Sequence, residues 1–355
     1  MEQKRIYSIL YGNFLHHLDH LAPLSVELDL PLLLTDPKIY SIAQNYYPKL
    51  DLHFTNDLYL ITEHLPKTER LISCLTNILF KTAFPMIKDF SHIWLPHGHS
   101  DKGYTQDRYY KLMSYETDLL FYGKNMLNCM KKSNALINNH YSLVRNFRYA
   151  HFLKNKDFYL EKLEPLTLDF SKPILLYAPT WNDSEKNTSF TSFSKFINKL
   201  TKDFFVICKW HPNLVSQEKE SIEALEKNHV NESICFLHDF PLIYPLLSVT
   251  DLYLGDVSSI GYDFLTFEKP MVFLNEKDKK LPLFSCGQVL KKEEYTQIDS
   301  VLKRALEIHQ SKYLENQKKL YEYTFGKKES VEAFNTRFKK LREKIVCSHQ
   351  KAQLG

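Results

Sequence analysis

Glycine is scarce in this chain, at 9 of 355 residues, against an average usage of roughly 7%. Neither a G-x-G-x-x-G nor a Walker sequence occurs, so a glycine-rich phosphate loop is excluded. The six cysteines, at positions 74, 129, 208, 235, 286 and 347, include no C-x-x-C pair. They read as reduced thiols rather than a disulfide frame or a zinc site. No G-x-S-x-G elbow is present, and no cysteine sits in a recognisable nucleophile context, so covalent catalysis fits poorly. No run approaches the ~18 apolar residues that span a bilayer. The start, MEQKRIYSILYGNF, has an acid near its front and too short an apolar run for a signal peptide. These absences point to a cytoplasmic protein, with room for peripheral contact at the inner face of a membrane. The net charge of +4 is only mildly basic. It demands no nucleic acid, but it suits an anionic ligand or an anionic surface.

What is present is an alternation of short apolar runs with amphipathic segments. RIYSILY, PLLLTD, LDLHF, LYLIT and SHIWLP read as strands in the first half, and DLLFYGKNMLNCMKK as strand, turn and helix. ILFKTAFPMIKDF, with Pro85 inside it, reads as helical. The second half is cleaner, with PILLYAP, FFVICKW, SICFLHDF, DLYLG and MVFLN as five strands separated by helical patterns. Such alternation indicates βαβ units and parallel sheets. The expected architecture is α/β, with two Rossmann-like domains facing across a cleft. Residues 1–160 form the first domain and residues 161–295 the second. A Lys/Glu-rich helical tail, 296–355, packs back across them.

Function in open parallel sheets gathers at the carboxyl ends of strands, and three clusters fall there. His97 and Gly98 open HGHSDK after SHIWLP, with Lys102 close behind. Gly98 allows close approach of a ligand, and the histidine reads equally as structural or functional. His211, pinned by Pro212 after FFVICKW, reads either as a helix cap or as a phosphate contact. Asp256, Ser258, Ser259 and Asp263 follow DLYLG. Two hydroxyls at a helix start cap the helix, and the same position suits an anion. Trp181, in the turn after PILLYAP, is either a core packer or a stacking platform. His16, His17 and His20 share one short segment, but no third or fourth ligand of suitable spacing is evident. No metal and no other cofactor is therefore expected. A histidine base, hydroxyl donors and lysines suit direct displacement on a diphosphate-activated donor.

HGHSDK at 97–102, YAPTW at 177–181, WHPN at 210–213 and DVSSIGYDF at 256–264 occur in that order. Together they resemble the CDP-glycerol glycerophosphotransferase family, the poly(glycerol phosphate) polymerases and primases of teichoic-acid synthesis. The resemblance covers roughly residues 90–275 and implies a GT-B-like fold, with 1–160 as the acceptor-side domain and 161–295 as the nucleotide-donor domain. It implies transfer of glycerol phosphate, or a related polyol phosphate, from a CDP-activated donor to a hydroxyl of a glycan or lipid-linked acceptor, with release of CMP. By motif position, His97 is the general base and His211 meets donor phosphate. Ser258 and Ser259 hold the pyrophosphate, while Asp256 and Asp263 support that loop or reach ribose or glycerol hydroxyls. Thr180, Trp181 and Lys102 join the donor side. Departures exist: Pro96 stands where the family often has Trp before the first histidine, and the family's G-x-P-R-x-D segment is not recognisable in LVRNFRYAHF. The alternative reading is a GT-B glycosyltransferase that uses a nucleotide sugar for cell-surface polysaccharide.

Overall fold

A computed structural model describes residues 5–57, 68–83, 91–102, 110–111, 113–136, 139–229 and 233–347. The chain divides into two compact units. One comprises residues 1–97, 106–155 and 324–355, and the other 98–105 and 156–323.

The first unit is built on seven strands: β1 (Arg5–Leu10), β2 (Leu32–Leu34), β3 (Leu52–Phe54), β4 (Thr68–Ser73), β5 (Ser91–Trp94), β6 (Asp118–Phe121) and β7 (His140–Leu143). Their order is β3-β2-β1-β4-β5-β6-β7, with every neighbouring pair parallel. Apolar runs such as LLL in β2 are buried throughout, as expected where helices cover both faces of a parallel sheet. The segment LYLIT lies outside the described residues, as does Pro85. The strand that follows LYLIT, β4, carries the polar residues Thr68, Glu69 and Arg70, which break the apolar run. Arg70 is nonetheless buried. Its Nη1 donates to the Ile345 carbonyl at 2.8 Å and its Nη2 to Asp118 at 3.4 Å.

The second unit has six strands: β8 (Ile174–Ala178), β9 (Phe205–Lys209), β10 (Ile234–Leu237), β11 (Leu252–Gly255), β12 (Met271–Leu274) and β13 (Gln288–Leu290). The order is β10-β9-β8-β11-β12-β13, again all parallel. Five strands are expected from the sequence; the sixth, β13, is a three-residue edge strand too short to show as an apolar run. Tyr177, Trp210, Phe193, Leu254 and Val272 fill a fully buried core on one side of the sheet. In both sheets the chain reverses its winding at the first strand, between β1 and β4 and between β8 and β11, the place where such folds bind ligands.

The helical tail is shared out. Ile298, Leu302 and Ala305 of the helix Ile298–Lys312 join the second unit's core. The last helix, Val331–Cys347, packs on the first unit, with Phe338 against Phe147 and Arg337 donating to the Val144 carbonyl at 3.1 Å. Among the described residues, no helix is long and apolar enough to cross a membrane.

Candidate functional site

The reversal point of the second sheet is tied together by one carboxylate. The register sets Gly255 of β11 beside Ala178 of β8, so the loops leaving both strands start side by side. Asp256 is fully buried there. Its Oδ1 accepts the Thr180 N–H at 2.9 Å, and its Oδ2 accepts both the N–H and the hydroxyl of Ser189 at 2.8 Å. Burial pushes this carboxyl up to about 6, against the pull of those donors. Asp256 therefore shapes the loop after β8 from beneath.

Lys102 adds the positive charge. Its Nζ donates to Thr180 Oγ1, lies 3.5 Å from Asp183 Oδ2 and sits 5.5 Å from the centre of the Trp181 ring. Burial lowers its pKa, and Asp183 and Asp256 oppose that shift. Asp183 is itself held by the N–H groups of Glu185, at 3.0 Å, and Asn187, at 3.2 Å. Trp181 packs on the edge of the core cluster, and its ring lies 6.1 Å from that of His211. Trp181 is thus half-buried, with part of its ring against the core.

His211 caps the helix Pro212–Gln217: its Nδ1 accepts the Asn213 N–H at 3.1 Å. Cap and phosphate contact are compatible, because a neutral ring accepting at Nδ1 carries its proton on Nε2. Ser258 caps the helix Ser259–Phe264, accepting from the Ile260 N–H at 3.4 Å. Ser259 is half-buried at the start of that helix. Asp263 lies deeper, accepting from the Tyr244 hydroxyl at 3.1 Å, a contact that fixes the helix from inside. The second unit thus brings together Lys102, Thr180, Trp181 and Asp256 at the β8/β11 reversal, with His211 on the neighbouring β9 loop.

Gly98 has φ of 115°, a conformation that favours glycine, and this turn sends HGHSDK from His97 toward Lys102. His99 and Asp101 lie between them. His99 is buried edge-on against Tyr262, with ring centres 4.5 Å apart. Neither of its ring nitrogens meets a hydrogen-bond partner among the described residues, and burial pushes it down to about 4. The Tyr262 hydroxyl donates to Asp101 Oδ1 at 2.8 Å, yet burial still pushes that carboxyl up to about 6.

In the first unit, His97 follows β5 and meets the start of the helix Leu15–Leu28. Its ring centre lies 4.5 Å from that of His17 and 5.4 Å from that of His16. The other polar members of HHLDH turn inward. Asp19 pairs with buried Arg148, and His20 Nδ1 lies 2.5 Å from the Tyr122 hydroxyl. Burial holds His20 well below the usual histidine range.

The fold and these loops define a GT-B-like protein with two Rossmann-like units, the second carrying a polar site at its sheet reversal. Residues 124–280 match the family model of CDP-Glycerol:Poly(glycerophosphate) glycerophosphotransferase, so the resemblance to that family is borne out over this segment. A teichoic acid glycerol-phosphate primase of Bacillus spizizenii (strain ATCC 23059 / NRRL B-14472 / W23) is 32% identical over 108 residues, covering 30% of this chain and 26% of that protein. The teichoic acid ribitol-phosphate polymerase TarL of Staphylococcus aureus (strain NCTC 8325 / PS 47) is 28% identical over 119 residues, covering 32% of this chain and 20% of that one. The chain thus spans about a quarter or less of these relatives. Among solved structures, a wall teichoic acid polymerase, TagF, aligns over 100% of this chain and 90% of its own, with TM-score 0.68 and 14% identity. A UDP-GlcNAc 2-epimerase from Neisseria meningitidis aligns over 95% of this chain and 99% of its own, with TM-score 0.63 and 12% identity. These two similarities bear on the fold.

Proposed function

We propose that this chain transfers glycerol phosphate, or a related polyol phosphate, from a CDP-activated donor to a hydroxyl of a glycan or lipid-linked acceptor. The observation that carries this reading is the family match over 124–280, which contains the YAPTW, WHPN and DVSSIGYDF loops. Two of those loops are joined through Asp256 and Thr180. In this reading the donor's diphosphate lies against Lys102, the Nε2–H of His211 and the start of the helix Ser259–Phe264, and Trp181 offers a face to the nucleoside. The acceptor oxygen forms a bond to the phosphorus that bears glycerol. The bond from that phosphorus to the bridging oxygen breaks, and CMP leaves. His97 takes the hydroxyl proton, a step worth typically 10²–10⁴-fold in rate. Lys102 and His211 offset the charge that grows on the departing phosphate. No covalent enzyme intermediate is needed.

The test is CMP release from CDP-glycerol with a hydroxyl acceptor, in the wild type and in His97→Ala. Release by the wild type and a fall of about 10²-fold or more in the variant are expected. Turnover with a sugar nucleotide and none with any CDP-alcohol would overturn the reading in favour of a glycosyltransferase.

A further inference from the structure

We infer that His16, His17 and His97 form a binding site for one divalent transition-metal ion of the zinc type. One ligand nitrogen from each of the three lies within 4.8 Å of the others. In sequence His97 looked unrelated to the other two, because it comes from the loop after β5 and they come from the helix after β1. Strand order is what gathers them. β1 and β5 both flank β4, so the loops leaving their carboxyl ends emerge on the same edge of the first sheet.

The donor chemistry fits a borderline-soft ion. Imidazole nitrogens bind zinc at about 2.0–2.1 Å, and tetrahedral angles then set neighbouring nitrogens about 3.3 Å apart. The rings are already packed together, His16 against His17 at 4.4 Å and His17 against His97 at 4.5 Å. Phe14 braces the pair, stacking on His17 at 5.2 Å and meeting His16 edge-on at 6.1 Å. Three protonated imidazoles this close would repel one another, whereas three neutral ones present three lone pairs to one point. The setting is graded, with His17 buried, His16 half-buried and His97 exposed. Among the described residues no carboxylate or thiolate completes the group. The site therefore resembles three-ligand zinc centres, which keep a fourth position open toward solvent or substrate.

The inference goes beyond the transfer reading and touches it at one atom. A neutral imidazole has a single ring lone pair, which either takes a proton or binds the ion. Loading the site therefore withdraws His97 from base work.

The experiment uses the full chain, stripped of metal, titrated with Zn²⁺ by calorimetry and with Co²⁺ by visible absorption. One ion per chain is expected, with the ligand-field bands of four- or five-coordinate Co²⁺ and a raised melting temperature on loading. His16→Gln, His17→Gln and His97→Gln should each weaken binding by more than the roughly 10–100-fold that loss of a supporting group costs. Apo melting curves show whether each variant is folded, and any one folded variant suffices. Absence of a stoichiometric ion overturns the proposal, as does unchanged affinity in a folded variant. The readout does not depend on turnover. A chain that loads Co²⁺ but releases no CMP sinks the transfer reading and leaves this site standing.

Discussion

Asp256 accepts the Thr180 N–H at 2.9 Å, so the tip of β11 holds the loop that leaves β8. Ser189 adds two further donors to the same carboxylate. Asp256→Ala removes all three contacts, each worth about 0.5–1.5 kcal/mol net. The loss is offset near neutral pH by relief of a buried charge, because the carboxyl is pushed up to about 6 from an ordinary 3.8. A raised carboxyl contributes stability that is present at low pH and lost as pH rises through about 6. The destabilisation caused by Asp256→Ala should therefore deepen by about 1 kcal/mol between pH 7.5 and pH 5. Urea denaturation of both proteins at the two pH values checks this; a cost that shrinks on acidification would refute it.

Lys102 is expected to act on the donor rather than on the fold. Its partner Asp183 keeps the N–H groups of Glu185 and Asn187 when the lysine is removed. Lys102→Met should therefore change stability little and lower CMP release by about 10²–10³-fold, as loss of one charge-stabilising donor does elsewhere. Steady-state kinetics beside a melting curve separate the two effects. A large drop in melting temperature with turnover intact would assign the lysine a structural role.

The strand-end motifs were legible because they depend on local order: an apolar run, then Pro or Gly, then a polar cluster. WHPN is such a case, and its Pro212 does begin a helix capped by His211. What could not be read was every relationship made by strand order. Ser189 is an ordinary loop residue in sequence, and it gains its role only because β8 and β11 lie side by side and bring Asp256 to it. The third partner for His16 and His17 was invisible for the same reason. β7, with the sequence HYSL, is a partly exposed edge strand without alternation strong enough to mark it.

At His211, capping and donor binding can be separated by substitution. Asn is as good an N-cap as any residue, but its side chain is too short to reach where Nε2 points. His211→Asn should keep the wild-type melting temperature, whereas His211→Ala should cost about 1 kcal/mol of stability. Both should lose transfer alike. Equal stability in the two variants would show that the cap contributes nothing, and full activity in the Asn variant would remove His211 from the donor site.

His99 gives the opposite pH signature to Asp256. Burial pushes it down to about 4 from an ordinary 6.5. The unfolded chain therefore binds the extra proton first, and stability that is complete above about 6.5 is lost as pH falls toward 4. From pH 7 to pH 5 this one group should cost the wild type about 2 kcal/mol. His99→Phe keeps a flat ring against Tyr262 and removes the titration, along with two buried nitrogens that have no partner among the described residues. The variant should be at least as stable as the wild type at pH 7 and more stable at pH 5. Paired denaturation curves at the two pH values decide it. If the advantage of the variant fails to grow on acidification, the titration of His99 does not carry this pH dependence.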